Sequence, residues 1–568
     1  MVAVRKLLFL VSYGLLASAA FGSATAVYVS QSGGTFSGGS ACNGQTTISL
    51  ATLNNSSSWG SGATQTGPGT TVYLCGALTA SAGAVGVNVQ NSGTSGSPLT
   101  ILFDTGATLK SPAFAGGNIE SNGCSSACAA IQAISKSYVI IDGGSNGLIE
   151  NTLNGAPSMS CPGGTCAQDG ASVGVYFGGG SNAIIRNLTI KDIYIACGAT
   201  NCGDTNGSGV TAEIRVDNSA NNVLVCNNTL SDAYIGINPG GAGGTVTPTA
   251  SLNCSSNTFP TGIQMYWNTL NDNCHHIQIN GSGQADVGFN FIGTFTNWIW
   301  PGNGNGCHTD GIIVFGDSTK VTAYIHHNEF SGDLGLGSPT GEIYCTYGGG
   351  ESECYDYDNL FVGIGNDPTC CQGISFAVDG APGAMGPYYE LNNTISGYLY
   401  MFEEYGALAT STFNFRNNIF LTPSGGYHYQ QQNGGPFSNT TVNGNLYNAG
   451  RSVPWGWGGM LAGSVPTWQS DCASGSGTLC DSSTSTTAAN LSANYVPNSG
   501  SPAIGLGDNL TSLSIPALNV GAPQSFGAGG SCGTGCVVRS SSGAWDAGAY
   551  PYSSSGPPAP TKLTAQVN

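Results

Sequence analysis

The stretch NVLVCNNTLSDAYIGI, residues 222–237, carries the plan of the whole chain. Val223 and Val225 alternate with other residues up to Asn228, Leu230 follows two positions later, a polar turn intervenes, and a second short run starts at Ile235. The plan returns as IQMYWNTLNDNCHHIQI from Ile263, VTAYIHHNEFSGDLG from Val321, YYELNNTISGYLYMF from Tyr388 and TFNFRNNIFLTPSGGYHY from Thr412. Period-2 alternation marks strands, and repetition at this length marks stacked coils. The Asn anchors are Asn228, Asn268, Asn290, Asn328, Asn359, Asn393, Asn418 and Asn445, spaced by 40, 22, 38, 31, 34, 25 and 27 residues. The short spacings suit one coil; the long ones require loop insertions. Asn fits a bend between strands because it tolerates left-handed backbone angles and bonds to nearby backbone. These Asn residues are therefore expected to be structural.

Composition agrees. Of 568 residues, 89 are Gly and only 7% are charged, with 12 basic and 30 acidic residues and a net charge of −18. So few charges argue against helical bundles, whose exposed faces are written in Glu, Lys and Arg. A 40% apolar content argues against disorder. Nucleic acid is excluded as a partner, because counterion release needs basic patches.

Residues 1–26 read as a signal peptide: Arg5 and Lys6, an apolar run from Leu7 to Ala20, then Ala24-Thr25-Ala26 as a cleavage site. A secreted protein, extracellular or periplasmic, is expected, with no membrane span. The 20 cysteines then read as local disulfides, with close pairs at Cys124/Cys128, Cys161/Cys166, Cys197/Cys202, Cys345/Cys354, Cys472/Cys480 and Cys532/Cys536. Residues 27–552 form one domain, of which 27–110 supply the N-terminal cap and first coils. The Ser/Pro-rich run 553–568 is a tail or linker. A monomer is expected.

The repeats resemble those of the right-handed parallel β-helix, the pectate-lyase-like superfamily. VYVSQSGG from Val27 resembles the first strand of many such exported proteins, and SGSPAIGLGDNL from Ser499 with DAGAYPY from Asp546 resembles their C-terminal strand and cap. The resemblance implies an all-β single solenoid with loop insertions. It does not fix the chemistry.

Five of six histidines (His275, His276, His308, His326 and His327) fall between residues 275 and 327. Superposing the repeats sets NCHHIQI against HTDGIIV, with His275 level with Asp310 and Cys274 able to bridge to Cys307. A carboxylate beside an imidazole makes a proton donor–acceptor pair. Asp310 is thus the leading catalytic candidate, with His275, His276 and His308 tuning it and Asp272, Asp317 or Glu329 as its partner. Only one member of each His doublet can face a given surface. The bland alternative is that these His residues fill ladder positions, and a His/Asp metal site is a third option.

HTDGI is similar to the Asn-Thr-Asp motif of polygalacturonases, with His308 in place of Asn. That resemblance implies Asp310 as one catalytic carboxylate. The chain lacks the family's Asp-Asp pair, Gly-His-Gly and Arg-Ile-Lys. TAEIRVDNS from Thr211 resembles the Glu-x-Ile-Arg segment of β-helix alginate and chondroitin lyases, which implies Arg215 against a uronate with Lys320 as a basic group. Arg215 is as readily structural, paired to Glu213 or Asp217. Trp298 and Trp300 precede His308 on a Gly-rich insertion and suit sugar stacking, and His326 and His327 are further substrate-binding candidates. The segment GEIYCTYGGGESECYDYDN from Gly341 reads as a solvated acidic loop or a weak Ca²⁺ site, or as strand tyrosines packing the outside of a coil.

The leading functional expectation is hydrolysis of an extracellular polysaccharide by carboxylate acid/base catalysis, which requires no cofactor. The alternatives are a uronate lyase acting by β-elimination, for which Ca²⁺ is possible, and a non-catalytic adhesin or matrix protein.

Overall fold

The computed structural model describes residues 22–553 except 82, 113, 115–128, 153–171, 194–211, 218, 241–243, 251, 296–308, 333, 335–340, 348–350, 364–373, 380–385, 405–410, 423–425, 432–436, 449–453, 458 and 534. Each central coil contributes three short strands, and each strand pairs in parallel with its counterpart one coil away. The first of the three sheets runs through Asn221–Cys226 and Ile263–Tyr266, and on to Phe413–Arg416 and Thr440–Asn443. A second runs through Thr229–Ser231 and Thr269–Asn271 to Ile419–Leu421. The third runs through Ala212–Asp217, Ile235–Pro239, His275–Gly288, Asp310–His326 and Gly341–Tyr347 to Tyr427–Gln431. Returning to the same sheet through two intervening strands makes a parallel β-helix, and such crossovers are right-handed. The expected all-β solenoid is the observed fold.

The interior is a continuous column of stacked side chains. Ile214, Ile237, Ile277, Ile312, Ile343, Phe376, Phe402 and Tyr429 follow one another up the third sheet, all fully buried. The last coils close on the helix Val465–Ser474, whose buried Trp468 lies against Tyr429, Trp455 and Phe437. Ser464 starts that helix by accepting from the Thr467 N–H.

All eight anchor asparagines stand in one hydrogen-bonded ladder. Each backbone N–H donates to the side-chain oxygen of the next anchor, from Asn228 to Asn268 (3.1 Å) through Asn418 to Asn445 (2.9 Å). Side-chain amides donate along the column as well, and to strand carbonyls such as Val225 O and Met265 O. The bend itself is made differently from the sequence expectation. The left-handed backbone belongs to the residue before each anchor: Asn227, Trp267, Phe289, His327, Asp358, Asn392, Asn417 and Gly444, with φ between 54° and 71°. A Trp or Phe there costs about 1–2 kcal/mol of backbone strain. Stacking offsets it: Trp267 lies on Phe289 at 4.6 Å, and Phe289 on His327 at 4.9 Å.

Of the expected disulfides, Cys345–Cys354, Cys472–Cys480 and Cys532–Cys536 are formed. Cys124/Cys128, Cys161/Cys166 and Cys197/Cys202 lie outside the described residues. Two longer bridges, Cys42–Cys75 and Cys226–Cys254, went unrecognised in the sequence. Cys274 is disulfide-bonded; Cys307 lies outside the described residues.

The C-terminal segment takes an unexpected course. Instead of adding a regular strand, it runs back along the flank of the solenoid. Gly548 donates to Asn417 O, Gly527 to Phe289 O, and Gly529 to the side-chain oxygen of Asn227. Arg539 anchors it through a buried ion pair with Asp358 at 2.6 Å and bonds to Val520 O and Gly548 O.

Candidate functional site

His275 and Asp310 are direct register partners on adjacent strands of the third sheet. The His275 Nδ1 atom lies 3.1 Å from an Asp310 carboxylate oxygen, with Asp310 fully enclosed and His275 reaching the surface by 5% of its area. Neither Asp310 oxygen has a well-angled hydrogen bond among the described residues, and the enclosed Thr309 hydroxyl is likewise unpartnered. A buried carboxylate without hydrogen bonds is costly and calls for an explanation.

The strand start explains which side chains share this face. Ladder partners skip from His275 to Ile277 and from Asp310 to Ile312, so the residues between turn into the coil. His276 goes inward, where neither ring nitrogen has a well-formed hydrogen bond among the described residues, and burial pushes its pKa down to about 3. In the equivalent inward position Glu213 is fully buried and pushed well up by burial and by Asp232. Glu342, also inward, accepts from Tyr398. His276 is thus held as a neutral interior group, apart from the Asp310 pair.

Three residues further along the same strands lies a second outward row. Arg215 pairs with Asn238, and Asn238 donates to Gln278 O; Ile313 and Tyr344 continue the row. Arg215 is bound to Asp217 by two bonds of 2.8 and 3.0 Å, and not to Glu213. Tyr344 donates to Asp379 at 3.2 Å; burial, then the charges of Asp379 and Asp310, raise its pKa. Tyr344 therefore belongs to the electrostatic neighbourhood of Asp310.

Other candidates are placed elsewhere. Glu329 sits on the second sheet between Phe291 and Leu360, where burial raises its carboxyl to about 7. Lys320 is exposed and pairs with Glu353 at the turn into the first sheet. Asp272 occupies the corner before the third sheet in a left-handed conformation, level with Asp232, which burial and the neighbouring Asp192 and Asp272 raise to about 6. Trp298, Trp300 and His308 lie outside the described residues, as does the side chain of Asp317.

His326 and His327 form a second, fully buried cluster under the C-terminal segment. Burial and His326 keep His327 neutral. Its Nε2–H donates to Val520 O, so its bare Nδ1 accepts from His326 Nδ1–H at 2.7 Å. His326 Nε2 then meets Asp286 at 2.8 Å, and Tyr266 donates to the other Asp286 oxygen at 2.5 Å. This chain fastens the flank and has no surface to offer a polysaccharide. The acidic stretch is likewise no solvated loop: Ser352–Tyr357 is a strand, Asp356 is enclosed on two ladder amides, Asp358 holds Arg539, and Tyr355 stacks between Tyr324 and Tyr389. Alternation of Tyr with acids had signalled that packing. Among the described residues no group of three or more His, Cys, Asp or Glu converges as a metal site.

No protein-family model matches the chain, and no curated protein does. Among solved structures, pectate lyase Pel9A is 13% identical, with 89% of this chain and 95% of that one covered and a TM-score of 0.39. XylC in complex with xylose is 10% identical over 75% of each chain, with a TM-score of 0.37. A family 28 exopolygalacturonase of Yersinia enterocolitica is 12% identical, covering 69% of this chain and 72% of that one, with a TM-score of 0.28. The strand register above establishes the coil independently of these likenesses.

Proposed function

We propose that the protein is an exported enzyme that cleaves glycosidic bonds of an extracellular polysaccharide, with His275 and Asp310 as one proton-transferring pair. The observation that carries this reading is the enclosed Asp310 carboxylate, with no hydrogen bond among the described residues and His275 at 3.1 Å. His275 is the member that reaches the surface, so it meets the substrate while Asp310 holds it. Formed disulfides fit an oxidising compartment, and no helix among the described residues is long and apolar enough to cross a membrane.

Hydrolysis is the first reading. Arg215 is already compensated by Asp217, and a net charge of −18 repels polyanions. β-Elimination is the second, favoured by one observation: the described residues bring an imidazole and one carboxylate together, where hydrolysis commonly uses two carboxylates. A panel of soluble polysaccharides assayed for both reducing ends and unsaturated products separates them. Asp310→Asn is expected to abolish product release with the fold intact; unchanged activity refutes the assignment.

A further inference from the structure

The row beside the His275–Asp310 pair contains two polar atoms that the protein leaves without partners. Among the described residues, Arg215 Nη1 and the Gln278 side-chain oxygen are both buried and unbonded, while the other side-chain nitrogens of the row are committed. Arg215 Nε and Nη2 go to Asp217. Asn238 Nδ2 goes to Gln278 O, and Gln278 Nε2 to Asn280 at 3.1 Å. One donor and one acceptor thus remain, two rungs apart on one sheet face, which is about 10 Å along the coil axis. Leaving a buried donor and acceptor unmade is expensive, so the arrangement fits a guest that supplies both.

We propose that Arg215, Asn238 and Gln278 form a subsite for an uncharged sugar unit on the N-terminal side of the cleavage point. This rests on the reading of His275 and Asp310 as that point. Sugar hydroxyls donate and accept at once, so they satisfy Arg215 Nη1 and the Gln278 oxygen together. A carboxylate only accepts. It gives nothing to Gln278 and meets, in the Arg215–Asp217 pair, a cation whose charge is already cancelled. Asp217 is therefore the positioning residue that selects hydroxyls over carboxylates: it fixes the guanidinium through Nε and Nη2 and leaves Nη1 outside the pair. The glycan then follows the coil axis past Arg215, Asn238 and Gln278 and steps across the sheet by three residues, from Gln278 to the level of His275, to reach Asp310 on the next strand.

The test uses the full chain with neutral polymers (xylan, β-glucan, galactomannan) and uronate polymers (polygalacturonate, alginate). Gln278→Leu removes the acceptor without touching the pair, and is expected to raise KM for the neutral substrate about tenfold with kcat little changed. Asp217→Asn uncovers the Arg215 charge, and is expected to shift preference toward uronate polymers at least tenfold, measured as a ratio of kcat/KM or as retardation in affinity gels on an Asp310→Asn background. Thermal melting confirms that each variant is folded, and Gln278→Leu keeps the test decisive if Asp217→Asn is not. A wild type that cleaves only uronate polymers overturns the subsite, as does an unchanged KM in Gln278→Leu. A wild type that neither binds nor cleaves any of the five overturns the enzyme reading itself.

Discussion

Asn290→Ala is the sharpest test of how the coil is held together. The Asn290 side-chain oxygen accepts from the backbone N–H of Asn268 at 2.8 Å and from its amide at 3.0 Å; its own amide donates to Met265 O and to the Asn328 side chain, both at 3.0 Å. After truncation the Asn268 amide keeps Val225 O, and the Asn328 oxygen keeps the Asn290 N–H at 2.9 Å. The Asn268 N–H keeps nothing and stays buried. One orphaned donor costs about 1–3 kcal/mol and each of the three further lost bonds about 0.5–1.5, for a total of roughly 3–7 kcal/mol. Urea unfolding of the variant and the wild type, compared at equal m, reads this as a lowered midpoint. Hydrogen exchange should rise first at the Asn268 and Asn328 coils, because solenoid stability is transmitted between neighbours. A loss below about 1 kcal/mol would show that the ladder follows the coil and does not hold it.

Glu329 carries a pH signature. Burial raises its folded pKa from 4.5 to about 7, so the folded state holds the proton more tightly and loses stability as pH rises from about 4.5 to 7. Glu329→Gln is expected to gain up to about 3 kcal/mol at pH 8 and nothing near pH 4, as melting temperatures across pH will read. His428 runs the opposite way. Burial lowers it to about 3, so stability falls as pH drops from 6.5 toward 3, and His428→Gln should flatten acid unfolding over that window. Arg539→Met strands the buried Asp358 carboxylate and should cost about 3–5 kcal/mol by urea unfolding, most of it recovered on adding Asp358→Asn. Replacing Cys226 and Cys254 by Ser opens a loop of 28 residues and should cost about 3–4 kcal/mol.

The legible part of this protein is the part that repeats. Eight asparagines could be picked out because the ladder places the same side chain at the same corner of every coil. The level of His275 with Asp310 could be read for the same reason, since register propagates from one coil to the next. The left-handed corner falls one residue before the expected Asn, because Asn occupies the anchor in every coil while Asn, Trp, Phe, His, Asp and Gly take turns at the bend. The fates of His276 and Glu342 were illegible: a skipped rung at the strand start reverses their direction, and alternation alone predicts the opposite face. His326, His327 and the acidic tyrosine strand are explained by the C-terminal segment. Contacts such as His327 with Val520 and Asn227 with Gly529 join residues 193 and 302 positions apart and leave no period to read.

That returning segment ties residues 227 and 269 to 529 and 528, across separations of 302 and 259 positions. A solenoid can otherwise grow coil by coil as its chain emerges from the ribosome, N-terminal coils first. Here the flank around Trp267 and Phe289 is finished only when residues some 250 positions later have been made. Chains cut short before Gly527 are expected to leave that aromatic seam open to water. The returning segment therefore closes a seam whose other side lies some 250 positions earlier in the chain.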